Sequence, residues 1–113
     1  ENKDPHLYIT VKQKHTYHRL CINKVFSIER LGHQTQILTI NGSILVRQTP
    51  VELLQDLPED CFIRCHQSYW VNASKISTYA NNEFHLLDGS VIPVSRTFKK
   101  AALNSLQNKK ASV

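Results

Sequence analysis

The stretch that decides the fold is Phe62-Ile63-Arg64-Cys65-His66-Gln67-Ser68-Tyr69-Trp70-Val71-Asn72. Phe62, Ile63, Tyr69, Trp70 and Val71 are β-branched or aromatic residues that favour strands. A half-buried strand alternates polar and apolar residues. This strand is instead interrupted by Arg64, Cys65, His66, Gln67 and Ser68, a run in which every side chain except Cys65 hydrogen-bonds strongly. A guanidinium, an imidazole, an amide and a hydroxyl are the groups that hold phosphates and read base edges. A second polar element, Ser95-Arg96, follows the strand-like segment Val91 to Val94. Together they suggest a β-rich domain that binds DNA.

Outward from the motif, most segments read as short strands. Leu7, Ile9 and Val11 alternate with Tyr8, Thr10 and Lys12, which predicts a strand from His6 to Lys12 and a turn through His15. Thr16 to Ile22 and Val25 to Leu31 are the next strands, the latter with Phe26 and Ile28 on one face, and Gly32-His33-Gln34 breaks the pattern as a loop. Strands Thr35 to Ile40 and Ser43 to Arg47 flank Asn41-Gly42, a hairpin signal because both residues tolerate positive φ. Thr49, Pro50 and Glu52 form a capping box that opens a helix of about two turns. Leu53, Leu54 and Leu57 supply its apolar face and Pro58 ends it. Its acidic character makes it a packing element away from any polyanion. Trp70 reads as a core residue. Lys75 to Ala80 and Glu83 to Leu87 are strands around Asn81-Asn82, and Asp88-Gly89 turns into Val91 to Val94. Pro93 implies an edge strand or a bulge there. Ser95 is placed to cap a final helix from Arg96 to about Leu106, with Phe98, Ala102 and Leu106 on one face; Gln107 to Val113 is expected to fray. The fold class is therefore mostly β, with one short internal helix and one C-terminal helix.

The 113 residues suit one domain with a core over about residues 6–106. No apolar run approaches the roughly 20 residues that span a membrane, and no basic-then-apolar signal segment appears at the start of the sequence. An opening of ENKDP, without Met, is expected of an excised fragment or a processed product. The net charge of +5 is uneven: residues 1–60 carry seven basic and seven acidic side chains, residues 61–113 seven basic and two acidic. The excess lies in the half that holds the motif, which favours a polyanionic partner, although on charge alone a solubilising surface with a basic tail is an equal alternative. Three cysteines, an odd count without a secretion signal, point to a reducing compartment, the cytoplasm.

Several chemistries find no support. The three glycines are spaced as turns and form no phosphate loop. Carboxylates are scarce in the basic half, which disfavours a paired-carboxylate site. Cys65 and His66 are adjacent on a strand and point to opposite faces, so they make a poor nucleophile and base. Cys61 and Cys65, with His66 and His85, could be imagined around zinc, but their spacing matches no usual zinc motif; free thiols at least half buried are the default. No enzyme activity, metal or cofactor is expected. Of the six histidines, His6, His15, His18 and His85 read as surface or sheet-face residues, and His33 and His66 carry functional weight.

The motif resembles the signature of LytTR-type DNA-binding domains, roughly F-x-R-x-H-x-S-x-x-V-N, with every fixed position filled. Ile92-Pro93-Val94-Ser95-Arg96 is similar to the family's closing strand, and Val25-Phe26-Ser27-Ile28-Glu29 to the strand that precedes its first DNA-contact loop. The resemblance implies an elongated stack of small antiparallel sheets. It further implies the output half of a bacterial response regulator behind a phospho-receiver domain, often in control of quorum-sensing, bacteriocin or virulence genes. Such domains bind direct repeats in promoters, alone as monomers in solution and paired with a second copy on DNA. They reach two successive major grooves and the minor groove between them by loops.

Carried over by position, the first loop is Leu31 to Gln36, with His33, Gln34 and Thr35 as base readers. In the motif, Arg64 and His66 would hold phosphates and Gln67 would approach base edges, with Ser68, Asn72 and Lys75 adding backbone contacts. Arg96 would read guanine, and Ser95, Lys99 and Lys100 would face phosphates. A structural ion pair of Arg64 with Glu59 or Asp60 and a solvated Arg96 stand as the plain alternatives. At the level of function the rivals are an RNA- or single-strand-binding β module, marked by exposed stacking aromatics, and a protein-interaction domain with an incidental basic face.

Overall fold

The computed structural model describes residues 7–111. His6 and the start of the first predicted strand lie outside the described residues. Strands β1 (Tyr8–Gln13) and β2 (Thr16–Cys21) form a two-stranded ribbon in which Ile9 and Val11 are buried. Its turn needs one left-handed residue, supplied by Lys14 with φ 56°. Next come β3 (Val25–Leu31), β4 (Gln34–Thr39) and β5 (Gly42–Val46). The hairpin expected at Asn41-Gly42 sits one residue earlier, because Thr39 pairs with Gly42 and leaves Ile40-Asn41 as the turn. Burial decides this register: Thr35, Ile37 and Thr39 all point inward, and a slip of one residue would turn them out. The Thr39 hydroxyl closes the turn, donating to the Gly42 carbonyl at 2.7 Å and accepting from the Asn41 N–H at 3.1 Å.

Helix α1 (Pro50–Leu54) has the expected capping box: the Thr49 hydroxyl accepts from the Glu52 N–H, and the Glu52 carboxylate from the Thr49 N–H. The motif is a hairpin rather than the single interrupted strand expected. It consists of β6 (Phe62–His66), a turn at Gln67-Ser68 and β7 (Tyr69–Asn72), with an irregular register between Arg64 and His66. A 3-10 turn, Ala73–Lys75, takes the first residue of the next predicted strand, so β8 runs Ile76–Ala80; β9 (Glu83–Leu86) and β10 (Val91–Pro93) follow. Asn81 and Asn82 both take positive φ between β8 and β9, and β10 with its Pro93 is an edge strand, as expected. Helix α2 (Arg96–Ala111) continues well past Leu106, through residues expected to fray.

The central sheet has the order β5-β4-β3-β7-β6, and β10-β9-β8 form a third sheet. Alternation along β6 sends neighbouring residues into two cores. Phe62 joins Ile9, Val11, Ile28, Ile37 and Leu53 under the ribbon and α1. Ile63 and Cys65 join Val71, Phe84, Ile92 and Ala102 under the third sheet and α2. The result is a three-layered, mostly β fold with the motif hairpin at one side of the middle layer. Trp70 is only partly buried and packs against the first core.

Candidate nucleic-acid interface

Two turns share one end of the central sheet. Strands β3 and β7 run antiparallel with Glu29 opposite Tyr69, so the Gly32-His33 turn after β3 lies beside the Gln67-Ser68 turn before β7. The Arg30 N–H donates to the Ser68 carbonyl at 2.9 Å and ties the turns together. The first is a tight two-residue turn, shorter than the expected loop, with Leu31 paired to Gln34 and Gly32 at φ 62°.

The motif turn is held by its own residues. The Arg64 Nη2 donates to the Gln67 carbonyl at 2.8 Å, and its guanidinium stacks on Trp70 and Phe98, 4.5 and 4.8 Å from the ring centroids. Cation–π contacts of this kind orient a guanidinium and leave its other N–H donors available. The partners of Arg64 are thus a carbonyl and two rings, not Glu59 or Asp60. The Ser68 N–H donates to His66 Nδ1 at 3.1 Å, which places the proton of a neutral His66 on Nε2, the nitrogen able to donate to a phosphate. The Gln67 side chain is exposed and makes no intramolecular hydrogen bond among the described residues.

A third segment reaches the same place from far along the chain. The Ser95 N–H donates to the Cys65 carbonyl at 2.9 Å, the Cys65 thiol to the Pro93 carbonyl at 3.5 Å, and the Val94 N–H to the Asn82 carbonyl at 2.8 Å. These bonds dock the start of α2 against the motif, where Arg96, Lys99 and Lys100 are exposed. No acidic residue lies in the first turn of α2. Cations there oppose the helix dipole and cost it a few tenths of a kcal/mol, roughly, so their placement serves something other than the helix.

The structure therefore brings together His33, Gln34, Arg64, His66, Gln67, Ser68 and Arg96, with Lys99 and Lys100 at the margin. Four expected contacts are corrected. Thr35 is completely buried, and its hydroxyl donates to the Gln48 carbonyl at 2.6 Å and accepts from Arg30 Nη1 at 2.7 Å, so it cannot read a base. Asn72 is 2% exposed. Its Nδ2 donates to the Ile22 and Val25 carbonyls at 2.9 and 2.8 Å, and its Oδ1 accepts from the Ser74 N–H and hydroxyl. It clamps a 3-10 turn before β3 (Ile22–Lys24) to the Ala73–Lys75 turn after β7 instead of touching a phosphate. Lys75 lies at that far end of β7, with Nζ 5.5 Å from the Phe26 ring centroid. The Ser95 hydroxyl is buried without a partner, so it neither caps α2 nor meets solvent; the Ser95 carbonyl accepts from the Phe98 N–H.

Arg30 escaped the sequence reading. Its backbone joins the two turns and its Nη1 braces Thr35 and the Arg47 and Gln48 carbonyls, partners too distant in sequence for any local pattern to reveal. Burial pushes the Cys65 thiol up to about 12, so it stays protonated and unreactive at neutral pH. Burial and then the neighbouring Glu29 raise Tyr69, which keeps its phenol proton. Among the described residues no three His, Cys, Asp or Glu side chains gather as metal ligands, and no helix is long and apolar enough to cross a membrane.

The arrangement defines a class: a β scaffold that presents amide, imidazole and guanidinium groups from turns, with no recognition helix required. Residues 15–107 match the LytTr DNA-binding domain family, and the chain belongs to it. It is 39% identical over 74 residues to the sensory transduction protein LytT of Bacillus subtilis, covering 61% of this chain and 30% of that protein. It is 31% identical over 102 residues to the transcriptional regulatory protein NatR of the same species, covering 88% of this chain and 41% of that protein. The chain thus spans less than half the length of either relative. A solved LytTr DNA-binding domain from Bacillus cereus superposes with a TM-score of 0.72 at 24% identity, covering 88% of this chain and 95% of that one, and shares its fold.

Proposed function

We propose that this domain binds double-stranded DNA sequence-specifically, as the output half of a bacterial transcriptional response regulator in the cytoplasm. The observation that carries the reading is the convergence of three segments, Gly32–Gln34, Arg64–Ser68 and Ser95–Lys100, on one end of the central sheet. His33, Gln34, Gln67 and Arg96 approach base edges; Arg64, His66, Ser68, Lys99 and Lys100 hold phosphates. Arg96 offers a planar fork that suits guanine O6 and N7. A receiver domain precedes this one in the full protein, and two copies pair on direct repeats in a promoter while a single copy is monomeric in solution.

Selection of bound sequences from a random duplex pool tests this. Enriched half-sites recurring about one helical turn apart are expected; an unenriched pool would remove the specificity claim. On the selected duplex, Arg96→Ala should cost about 1–3 kcal/mol and relax preference at one base position. Equal loss on selected and random duplex would contradict its role as a reader.

A further inference from the structure

The tip of the β1–β2 ribbon and the segment after β5 enclose a groove of about 540 Å³ that meets the three convergent segments only at Gln34. Lys12, Lys14 and Arg47 line it together with Gln34 and Gln48, and no carboxylate does. All three cations are exposed. The groove opens at the same end of the molecule as the two turns. The pairing of Thr35 with Val46 puts Arg47 one step further along, across from Gln34, which directly follows the Gly32-His33 turn. Gln34 is thus shared between the turn and the groove.

The groove is held in shape by side chains. Gln48 accepts from the Lys12 N–H at 2.8 Å and donates to the Thr10 carbonyl at 3.1 Å, and Gln13 donates to the Leu45 carbonyl at 3.2 Å. These bonds add to the packing of Ile9 and Val11 in holding the ribbon on the central sheet. Lys12 Nζ lies 5.7 Å from the Tyr17 ring centroid. Among the described residues none of the three cations has a carboxylate partner, so the groove concentrates like charge that suits an outside anion. The even balance of charge over residues 1–60 conceals this, because the described acidic side chains of that half, Glu29, Glu52, Asp56, Glu59 and Asp60, do not line the groove.

We propose that this groove takes the sugar–phosphate backbone of the same duplex, flanking the Gly32-His33 turn, with Lys12, Lys14 and Arg47 as phosphate contacts. The proposal rests on the reading of the domain as a duplex binder. It extends the footprint across the first layer of the fold, away from Arg96. The molecule measures 41 Å in its longest direction, more than the roughly 34 Å of one turn of B-DNA, which is length enough for such a footprint.

The test is a double variant, Lys14→Asn with Arg47→Gln. Asn tolerates the positive φ at position 14, so charge is removed while the turn is kept. Binding of the selected and a random duplex is measured across a salt series, with thermal unfolding followed alongside. The variant should weaken binding to both duplexes alike and flatten the plot of log K against log salt by about 0.9 per cation removed. Hydroxyl-radical protection should disappear at one flank while base preference stays. If the double variant folds and keeps the affinity and slope of the unaltered domain, the groove lies off the DNA and the proposal fails, with the convergent interface intact. If the variant is unstable, Lys14→Asn alone must still flatten the slope by about one cation, or the proposal fails. If the unaltered domain binds no duplex at all, the underlying reading fails with it.

Discussion

The two ends of the motif hairpin carry similar polar residues and use them in opposite ways. At one end Gln67 is exposed with its amide unengaged among the described residues. At the other, four residues along β7 from Ser68, Asn72 is buried and spends its amide on two carbonyls and on Ser74. The same contrast separates neighbours on β4, where Gln34 is exposed and Thr35 completely buried. A polar residue on this scaffold therefore faces solvent or holds the frame, and its place in the strand alternation decides which. The holders brace both turns: Arg30 supports Thr35 under one, and Arg64 grips the carbonyl of Gln67 in the other.

The largest effect expected on stability is at Asn72. Asn72→Ala removes a buried donor to the Ile22 and Val25 carbonyls and the acceptor of the Ser74 N–H and hydroxyl, and should cost about 2–4 kcal/mol in urea unfolding. Salt slope and base preference of the folded fraction should stay unchanged. A variant of full stability with weakened DNA binding would reverse the assignment and return Asn72 to the interface.

Thr35→Val comes next and sharpens the contrast within one strand. The isosteric change removes a hydroxyl that donates to the Gln48 carbonyl and accepts from Arg30, and should cost about 1–2 kcal/mol of stability with base preference kept. Gln34→Ala, one residue away, should do the reverse. Altered base preference in Thr35→Val with intact stability would show that the turn opens on DNA and exposes this residue.

Much of this was legible in the sequence. Leu7 to Lys12 already shows its strand through alternation, and Thr49-Pro50-Val51-Glu52 announces the start of α1 through a local capping pattern. The long motif pointed to its family because its polar residues are unusual in a strand. What stayed hidden depends on register and long-range pairing. Thr35, Asn72 and Ser95 resemble contact residues in composition, and only burial separates them from Gln34 and Gln67. The motif read as one strand because its turn, Gln67-Ser68, contains neither Gly nor Asn; the irregular register between Arg64 and His66 and the bond to His66 Nδ1 close it instead. The placement of Arg47 opposite Gln34 follows from a strand pairing that no local pattern encodes.

The smallest effect on stability belongs to the residue that most directly distinguishes a reader from a holder. In Gln67 the backbone carbonyl anchors Arg64 while the side chain projects to solvent, so Gln67→Ala should change stability by less than about 0.5 kcal/mol. Its effect belongs on DNA, as a loss of discrimination of about 1–3 kcal/mol at one base pair, since an amide in the major groove pairs two atoms of a single adenine edge. Comparing the sequence preferences of Gln67→Ala and Arg96→Ala locates the two contacts relative to each other. If their affected positions coincide, the two segments read one site; if they fall in different grooves, the bond from Ser95 to Cys65 sets the spacing between them. Should Gln67→Ala bind every sequence as the unaltered domain does, the motif turn touches only the backbone, and specificity rests on the Gly32-His33 turn and Arg96.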